Sequence, residues 1–278
     1  MAMKIPFVKM HGLGNDFIIL DCIRHTVPIH QELIRTLCDR RHGIGADQLL
    51  VLLPSKKVDY RMRVYNADGG EVEMCGNGIR CLAKYLVAQG LADESEQAIE
   101  TRAGIIRPRV QGDRVTVDMG PPELEGPRIP VRMGGRIIDR EVTLANEQRR
   151  ITCVSMGNPH CIIFVTDLAL CPVRQLGPKI ETDALFPQRV NVEFVKVESP
   201  TRISMRVWER GAGETAACGT GACAAAVASS LNGRTGREIV VALPGGELLI
   251  RWAEDGHVFM TGPAEEVFRG EIDVERKR

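Results

Sequence analysis

The chain has 278 residues, 44% of them apolar, and its 36 lysines and arginines balance 36 aspartates and glutamates. That length suits two hydrophobic cores better than one, and a charge balance so even leaves no field to gather nucleic acid or an anionic membrane, so a small molecule is the expected partner. The nine cysteines are an odd number, and the first ten residues lack a secretory pattern, so a disulfide framework is not expected and the cytoplasm is.

In chain order, runs rich in Val, Ile and Leu predict strands over 5–8 and 17–20, and a helix from near Pro28 to just before Gly43. Strands over 49–53 and 60–65 follow, then a helix from Cys75 to about Gln89 with Gly90 as its stop. After a strand over 115–117, the pattern resumes with a strand over 162–165, a helix over about 173–180, and strands over 192–197 and 203–208. A helix from Cys218 to Leu231, closed by Asn232-Gly233, precedes strands over 239–243 and 257–260.

Ile79, Leu82, Ala83 and Leu86 fall at i, i+3, i+4 and i+7, so one stripe of the second helix is expected to be buried. Ala224, Val227, Ala228 and Leu231 repeat that spacing in the fourth, whose remaining face is also rich in alanine and so is expected to be buried nearly all round. The apolar stretch over 216–231 is shorter than the ~20 residues a bilayer requires and is broken by Gly219 and Gly221, so it reads as a core helix and not a membrane span. Cys22, Cys38, Cys153, Cys161 and Cys171 read as small buried apolar residues. No C-x-x-C pair occurs, and Cys75/Cys81 and Cys218/Cys223 are spaced too widely for a zinc knuckle, so no metal site is expected.

The most informative pattern is a repeat. Advancing the first half by 143 residues lays Cys75-Gly76-Asn77-Gly78 on Cys218-Gly219-Thr220-Gly221, Arg63-Val64 on Arg206-Val207, Gly14-Asn15 on Gly157-Asn158, and Gln48 on Asn191. Toward the end of each copy the register slips by one, placing Gly120-Pro121 on Gly262-Pro263. The expected organisation is therefore a first half over 1–120 and a second over 121–263, with a tail over 264–278 that either returns to cover an edge of the first half or frays. The expected fold class is mixed α/β (α+β): two domains related by a pseudo-twofold axis, each a curled, mostly antiparallel sheet around a central helix.

A C-G-x-G phrase directly before a helical stripe puts each cysteine at a helix start, where unpaired backbone N–H groups and the helix dipole favour thiolate over thiol. Gly76, Gly78, Gly219 and Gly221 let an anionic group approach those donors closely. Two such thiols on opposite faces of one carbon invert it without a cofactor: one removes the α-proton and the other supplies a new one, while the held carboxylate stabilises the enolate-like state between. The alternative for either phrase alone is a tight strand-to-helix turn with a packed cysteine; its recurrence in register favours the chemical reading.

Asn66 and Glu209 each precede a cysteine by nine residues at the end of a strand and read as ligand-binding; for Glu209 a surface ion pair with Arg210 is the alternative. Asn15 and Asn158 read either as turn formers or as site residues. His160 reads either as an imidazole that tunes a thiolate or as a buried hydrogen-bonded residue.

These phrases, with Gly12-Leu13-Gly14-Asn15-Asp16-Phe17, Gly45-Ala46-Asp47-Gln48, Asn66-Ala67-Asp68-Gly69, Gly157-Asn158-Pro159-His160 and Trp208-Glu209-Arg210-Gly211, together resemble the diaminopimelate epimerase family in order and over nearly the whole chain. The resemblance implies cofactor-independent interconversion of L,L- and meso-2,6-diaminoheptanedioate in the biosynthesis of lysine and peptidoglycan precursors, with Cys75 and Cys218 as the acid/base pair. It implies that backbone donors at Gly76, Asn77, Gly219 and Thr220 hold the reacting carboxylate and that Asn66 and Glu209 meet the reacting amino group. Asn66, Asn158, Asn191 and Arg210 would meet the remote centre, Asn15 and Gln48 would line the site, and His160 and Glu209 would adjust the thiols. It also implies a homodimer. Departures from the family pattern, at Ala46 and over 126–150, are peripheral. The proline and hydroxyproline racemases, which share the duplicated fold, typically carry a histidine in the first phrase where this chain has Asn77, and Arg210 suits a second carboxylate.

Overall fold

A computed structural model describes residues 2–73 and 75–275. The chain divides into two compact units, one of Met1–Val117 with Gly262–Arg278 and the other of Asp118–Thr261.

In the first unit the elements are β1 (Ala2–Gly12), β2 (Asn15–Asp21), α1 (Gln31–Cys38), β3 (Gln48–Pro54), β4 (Tyr60–Asn66), β5 (Glu71–Val72), α2 (Gly76–Ala88), β6 (Ile99–Thr101), β7 (Gly104–Ile106), β8 (Arg109–Gln111) and β9 (Arg114–Asp118). The second unit carries β10 (Arg140–Leu144), β11 (Glu147–Ser155), β12 (Pro159–Phe164), α3 (Val173–Glu181), β13 (Asn191–Ser199), β14 (Arg202–Glu209), β15 (Gly213–Thr215), α4 (Gly219–Leu231), β16 (Glu238–Leu243), β17 (Gly246–Trp252) and β18 (Val258–Pro263). The chain then returns to the first unit as β19 (Glu265–Glu275).

The first unit's sheet runs β19-β1-β2-β3-β4-β6-β7, with β5 on β4. Its pairings are antiparallel except β2 with β3 and β4 with β6. In the second unit the order β10-β11-β12-β13-β14-β16-β17-β18, with β15 on β14, has the same two parallel exceptions in the same places: β12 with β13 and β14 with β16. Each parallel join is one that a helix spans, α1 and α2 in the first unit and α3 and α4 in the second, as parallel neighbours require a crossover. The fold is thus mixed α+β, with one topology written twice.

The central helices carry the expected burial except at Leu231, which is only partly buried. Ile79, Leu82, Ala83 and Leu86 are all fully buried, and each of the three larger side chains contributes about 1.5–3 kcal/mol relative to exposure. From Gly221 to Ser229, α4 is buried without interruption. Helix α1 is shorter than its sequence suggests, ending at Cys38 where Asp39 leaves helical geometry and its side chain accepts from the backbone N–H of Arg41 and His42 at 2.8 and 2.6 Å. Local capping by an aspartate has ended it ahead of Gly43. The tail pairs antiparallel with β1 over Ala2–His11 as β19, and so covers that edge. Cys38, Cys153 and Cys161 are buried, whereas Cys22 and Cys171 are only partly so. Among the described residues no helix is long and apolar enough to cross a membrane, and no three His, Cys, Asp or Glu side chains gather as a metal would need.

Candidate active site

In the first unit the polar residues singled out by the repeat sit at strand ends beside the start of α2. Cys75 is the residue before that helix, in extended conformation (φ −138°, ψ 117°), with Gly76 and Asn77 forming its first turn. Asn15 opens β2, and its Oδ1 accepts from Asn77 Nδ2 at 3.2 Å and from the Cys75 thiol at 3.8 Å. Gln48 opens β3 directly opposite Asn66 at the end of β4, and Gln48 Nε2 donates to Asn66 Oδ1 at 2.8 Å. Behind Asn15 lies a charged cluster that the sequence reading passed over. Asn15 Nδ2 donates to Asp47 Oδ2 at 2.9 Å, Asp16 and Asp47 exchange backbone-to-carboxylate bonds at 3.2 and 2.8 Å, and Arg40 bridges both carboxylates. Buried Lys9 pairs with Asp16 at 2.7 Å. Burial alone would raise the Asp16 carboxyl, but hydrogen bonds from Arg40 and Lys9 outweigh it and hold it far below the usual carboxylate range.

In the second unit Cys218 has the matching position and conformation (φ −122°, ψ 110°) before α4, with Gly219 and Thr220 as the first turn. Its sulphur accepts from Gly221 N–H at 3.4 Å and lies 3.5 Å from the Thr220 hydroxyl. Both contacts favour thiolate, yet the thiol is pushed well above its ordinary range: burial is the largest cause, with the carboxylates of Glu209 and Glu193 adding to it. The helix start alone suggests the opposite direction. With the residue only 4% exposed, desolvation and two nearby anions outweigh two hydrogen bonds.

Glu209, at the end of β14, accepts from the Thr215 hydroxyl. Asn191 opens β13, its Nδ2 donating to Pro159 O at 2.9 Å while its Oδ1 accepts from Arg210 N–H at 2.9 Å; the Arg210 side chain reaches Gln188 O. His160, in β12 beside Asn191, is fully buried, with Nε2 2.9 Å from Asn158 Oδ1 and Nδ1 2.6 Å from Glu193 Oε1. Within this unit, then, His160 contacts Asn158 and Glu193. Glu193 is a second residue missed by sequence reasoning. It is a fully buried carboxyl, raised by burial against the pull of His160. Its signal in the sequence is a lone acid inside the apolar run Val192-Glu193-Phe194-Val195, since a buried charge needs a partner.

Three buried acceptor atoms at these places, Gln48 Oε1, Asn77 Oδ1 and Glu193 Oε2, have no hydrogen-bond partner among the described residues. Unmet buried acceptors are costly, and acceptors are what ammonium groups seek. Each unit therefore offers a thiol at a helix start, the kind of place where backbone donors suit a carboxylate, and side-chain acceptors of the kind that suit amines.

The family model described as diaminopimelate epimerase matches residues 7–125 and 152–267. A diaminopimelate epimerase of Moorella thermoacetica is 53% identical over 277 residues, covering 97% of this chain and 99% of its own. Among solved structures, a phenazine biosynthesis protein of the PhzF family from Bacillus anthracis superposes with a TM-score of 0.71 at 19% identity, covering 97% of this chain and 99% of that one. A hydroxyproline epimerase from Agrobacterium vitis gives 0.68 at 16% identity, covering 97% and 91%. At those identities the two structures share the fold alone.

Proposed function

The chain belongs to the diaminopimelate epimerase family, and from that premise we propose that it interconverts L,L- and meso-2,6-diaminoheptanedioate by a two-base reaction in which Cys75 and Cys218 act on opposite faces of one carbon. The observation that carries the reading is the cysteine placed, in the same extended conformation, at the start of the central helix of each unit. The two units, close to residues 1–120 with 264–278 and 121–263, are read as the two halves of one enzyme.

In this reading the substrate's reacting carboxylate takes the backbone N–H groups of Gly76, Asn77, Gly219 and Thr220. As the α-proton leaves, charge moves onto that carboxylate, where fixed donors at two helix starts stabilise it. Cys218, held as a thiol by burial and by Glu209 and Glu193, donates a proton, and Cys75 in that direction removes one. The reverse reaction exchanges the roles. Asn66 and Glu209 receive the reacting amino group; Asn66, Asn158, Asn191 and Arg210 take the remote centre, whose second carboxylate suits the Arg210 guanidinium. Asn15 and Gln48 line the site, and His160 with Glu209 adjusts the thiols. The chemistry asks for no cofactor or metal. We read the working enzyme as a cytoplasmic homodimer.

The test is residue-specific alkylation together with turnover. Substrate should protect both Cys75 and Cys218 from a halo-amide, and unchanged reactivity of either thiol would contradict the assignment.

A further inference from the structure

We infer that Asp47 is a positioning residue for Cys75: it fixes the side-chain amide of Asn15 so that its carbonyl, and not its N–H, faces the thiol. The inference rests on the acid/base reading of Cys75, but its geometry stands within the first unit alone. A carboxylate only accepts hydrogen bonds, so Asp47 Oδ2, 2.9 Å from the Asn15 amide nitrogen, leaves that amide one orientation. Asn77 Nδ2 donates to that same Asn15 carbonyl at 3.2 Å. The carbonyl left facing α2 is the one that accepts from Cys75 Sγ at 3.8 Å.

Asp47 is itself immobilised. It accepts from Arg40 at 2.8 Å and from Asp16 N–H at 3.2 Å, and its own N–H donates to Asp16 Oδ1 at 2.8 Å. Arg40 takes Asp16 through both terminal nitrogens, at 2.8 and 2.7 Å, while Lys9 holds Asp16 from the buried side. Such planar, paired ion contacts fix orientation as well as charge.

A reversible epimerisation explains the need. Each thiol must take a proton in one direction and give one in the other, so neither form can be favoured too far. The start of α2 pulls Cys75 toward thiolate. A carbonyl that accepts its S–H pulls it back toward thiol, whereas a turned amide would add two donors and reinforce the helix. Among the charged or titratable groups of the neighbouring elements, Arg80 and Cys81 lie on α2, Glu73 precedes it in sequence, and Asp16, Lys9 and Arg40 belong to the cluster. Burial pushes Cys81 to about 12, so it stays neutral throughout.

The experiment measures iodoacetamide alkylation of Cys75 against pH in substrate-free protein, by peptide mass spectrometry, with Cys218 in the same sample as the internal reference. In Asp47→Ala the Cys75 profile should move to lower pH, and alkylation at neutral pH should rise about three- to tenfold, a shift of roughly half to one pH unit. Cys218 should not change. Asp47→Asn, whose amide oxygen can still accept from Asn15, should restore most of the parent profile. Asn15→Ala, which removes the acceptor without supplying turned donors, should shift the profile in the same direction by less, and adding Asp47→Ala to it should change nothing further. A Cys75 profile that superposes on the parent in either alanine variant would overturn the inference. So would an equal shift of both cysteines, or an Asp47→Asn variant as altered as Asp47→Ala. Because no turnover is read, failure here leaves the two-thiol reaction standing, and loss of that reaction leaves this result intact.

Discussion

The two halves place the same cysteine at a helix start and surround it with different polar support. In each, an asparagine follows a glycine at a strand start, and a cysteine stands before the central helix. In the first unit the asparagine's outer partner is Asp47, part of a solvent-reaching cluster of two acids and two bases. In the second it is His160, locked to Glu193 with both side chains fully buried. The duplication has kept the backbone device, a cysteine and two glycines opening a helix, and let the polar support diverge. In the proposed reaction the substrate is unsymmetrical, so the thiols would repeat while the groups that recognise it would differ.

The two thiols carry the largest expected effect. Cys75→Ala and Cys218→Ala should each lower epimerisation by a factor of about 10³ or more while the protein folds, because losing either member of a two-base pair removes a whole proton transfer. If either variant turned over normally in a steady-state assay, the halves would not be chemically equivalent.

A second test uses equivalent glycines. A Cβ at Gly221 would lie 2.8 Å from Glu193 Oε1 and 3.2 Å from Cys218 Sγ, whereas one at Gly78 would meet a Leu50 methyl carbon at 3.1 Å and the Cys75 Cβ at 3.4 Å. Leu50 can shift and a buried carboxyl beside a packed sulphur cannot. Gly221→Ala should therefore cost roughly 10²-fold in kcat/KM against about tenfold or less for Gly78→Ala, about a methyl group misplaced beside each thiol. Equal losses would mean that the two helix starts tolerate crowding alike.

Stability separates the halves more gently. Glu193→Gln keeps the shape but disturbs the buried bond to His160, and should destabilise the fold by about 1–3 kcal/mol in urea titrations. The first unit's cluster responds to acid instead. Asp16 has its carboxyl depressed from an ordinary 3.8, so its contribution is present above about pH 4 and is lost as pH falls toward the folded-state value. The urea midpoint of the parent should drop on acidification, and Asp16→Asn should start lower at pH 6 and fall less steeply. Parallel acid slopes would remove that cluster from the stability of the first unit.

Much of this was legible in the sequence because it is carried by local pattern. The stripes of α2 and α4 and the two cysteine phrases depend on neighbours within a few turns of chain, and the 143-residue offset is a match between such local phrases. What was not legible depends on long-range pairing. The short strands β6, β7 and β8 bury too few side chains to show a period, and the tail becomes β19 only because β1 offers it an edge. Asp47 lay inside a recognised phrase, yet its contact is with Asn15, 32 residues away. Glu193 announced itself as a misplaced charge, but nothing local named His160 as its partner. The thiol of Cys218 was read from its helix start, which is a local effect, whereas its state is governed by burial, which is not.

In the proposed reaction separate sulphur atoms remove and replace the proton at one carbon. The most direct test converts L,L-2,6-diaminoheptanedioate in heavy water and reads deuterium early in the reaction by mass spectrometry and proton NMR. Deuterium is expected at the single inverted carbon of the meso product while the recovered substrate still carries protium. Deuterium entering substrate and product at the same initial rate, or a product that keeps the original hydrogen, would contradict that expectation.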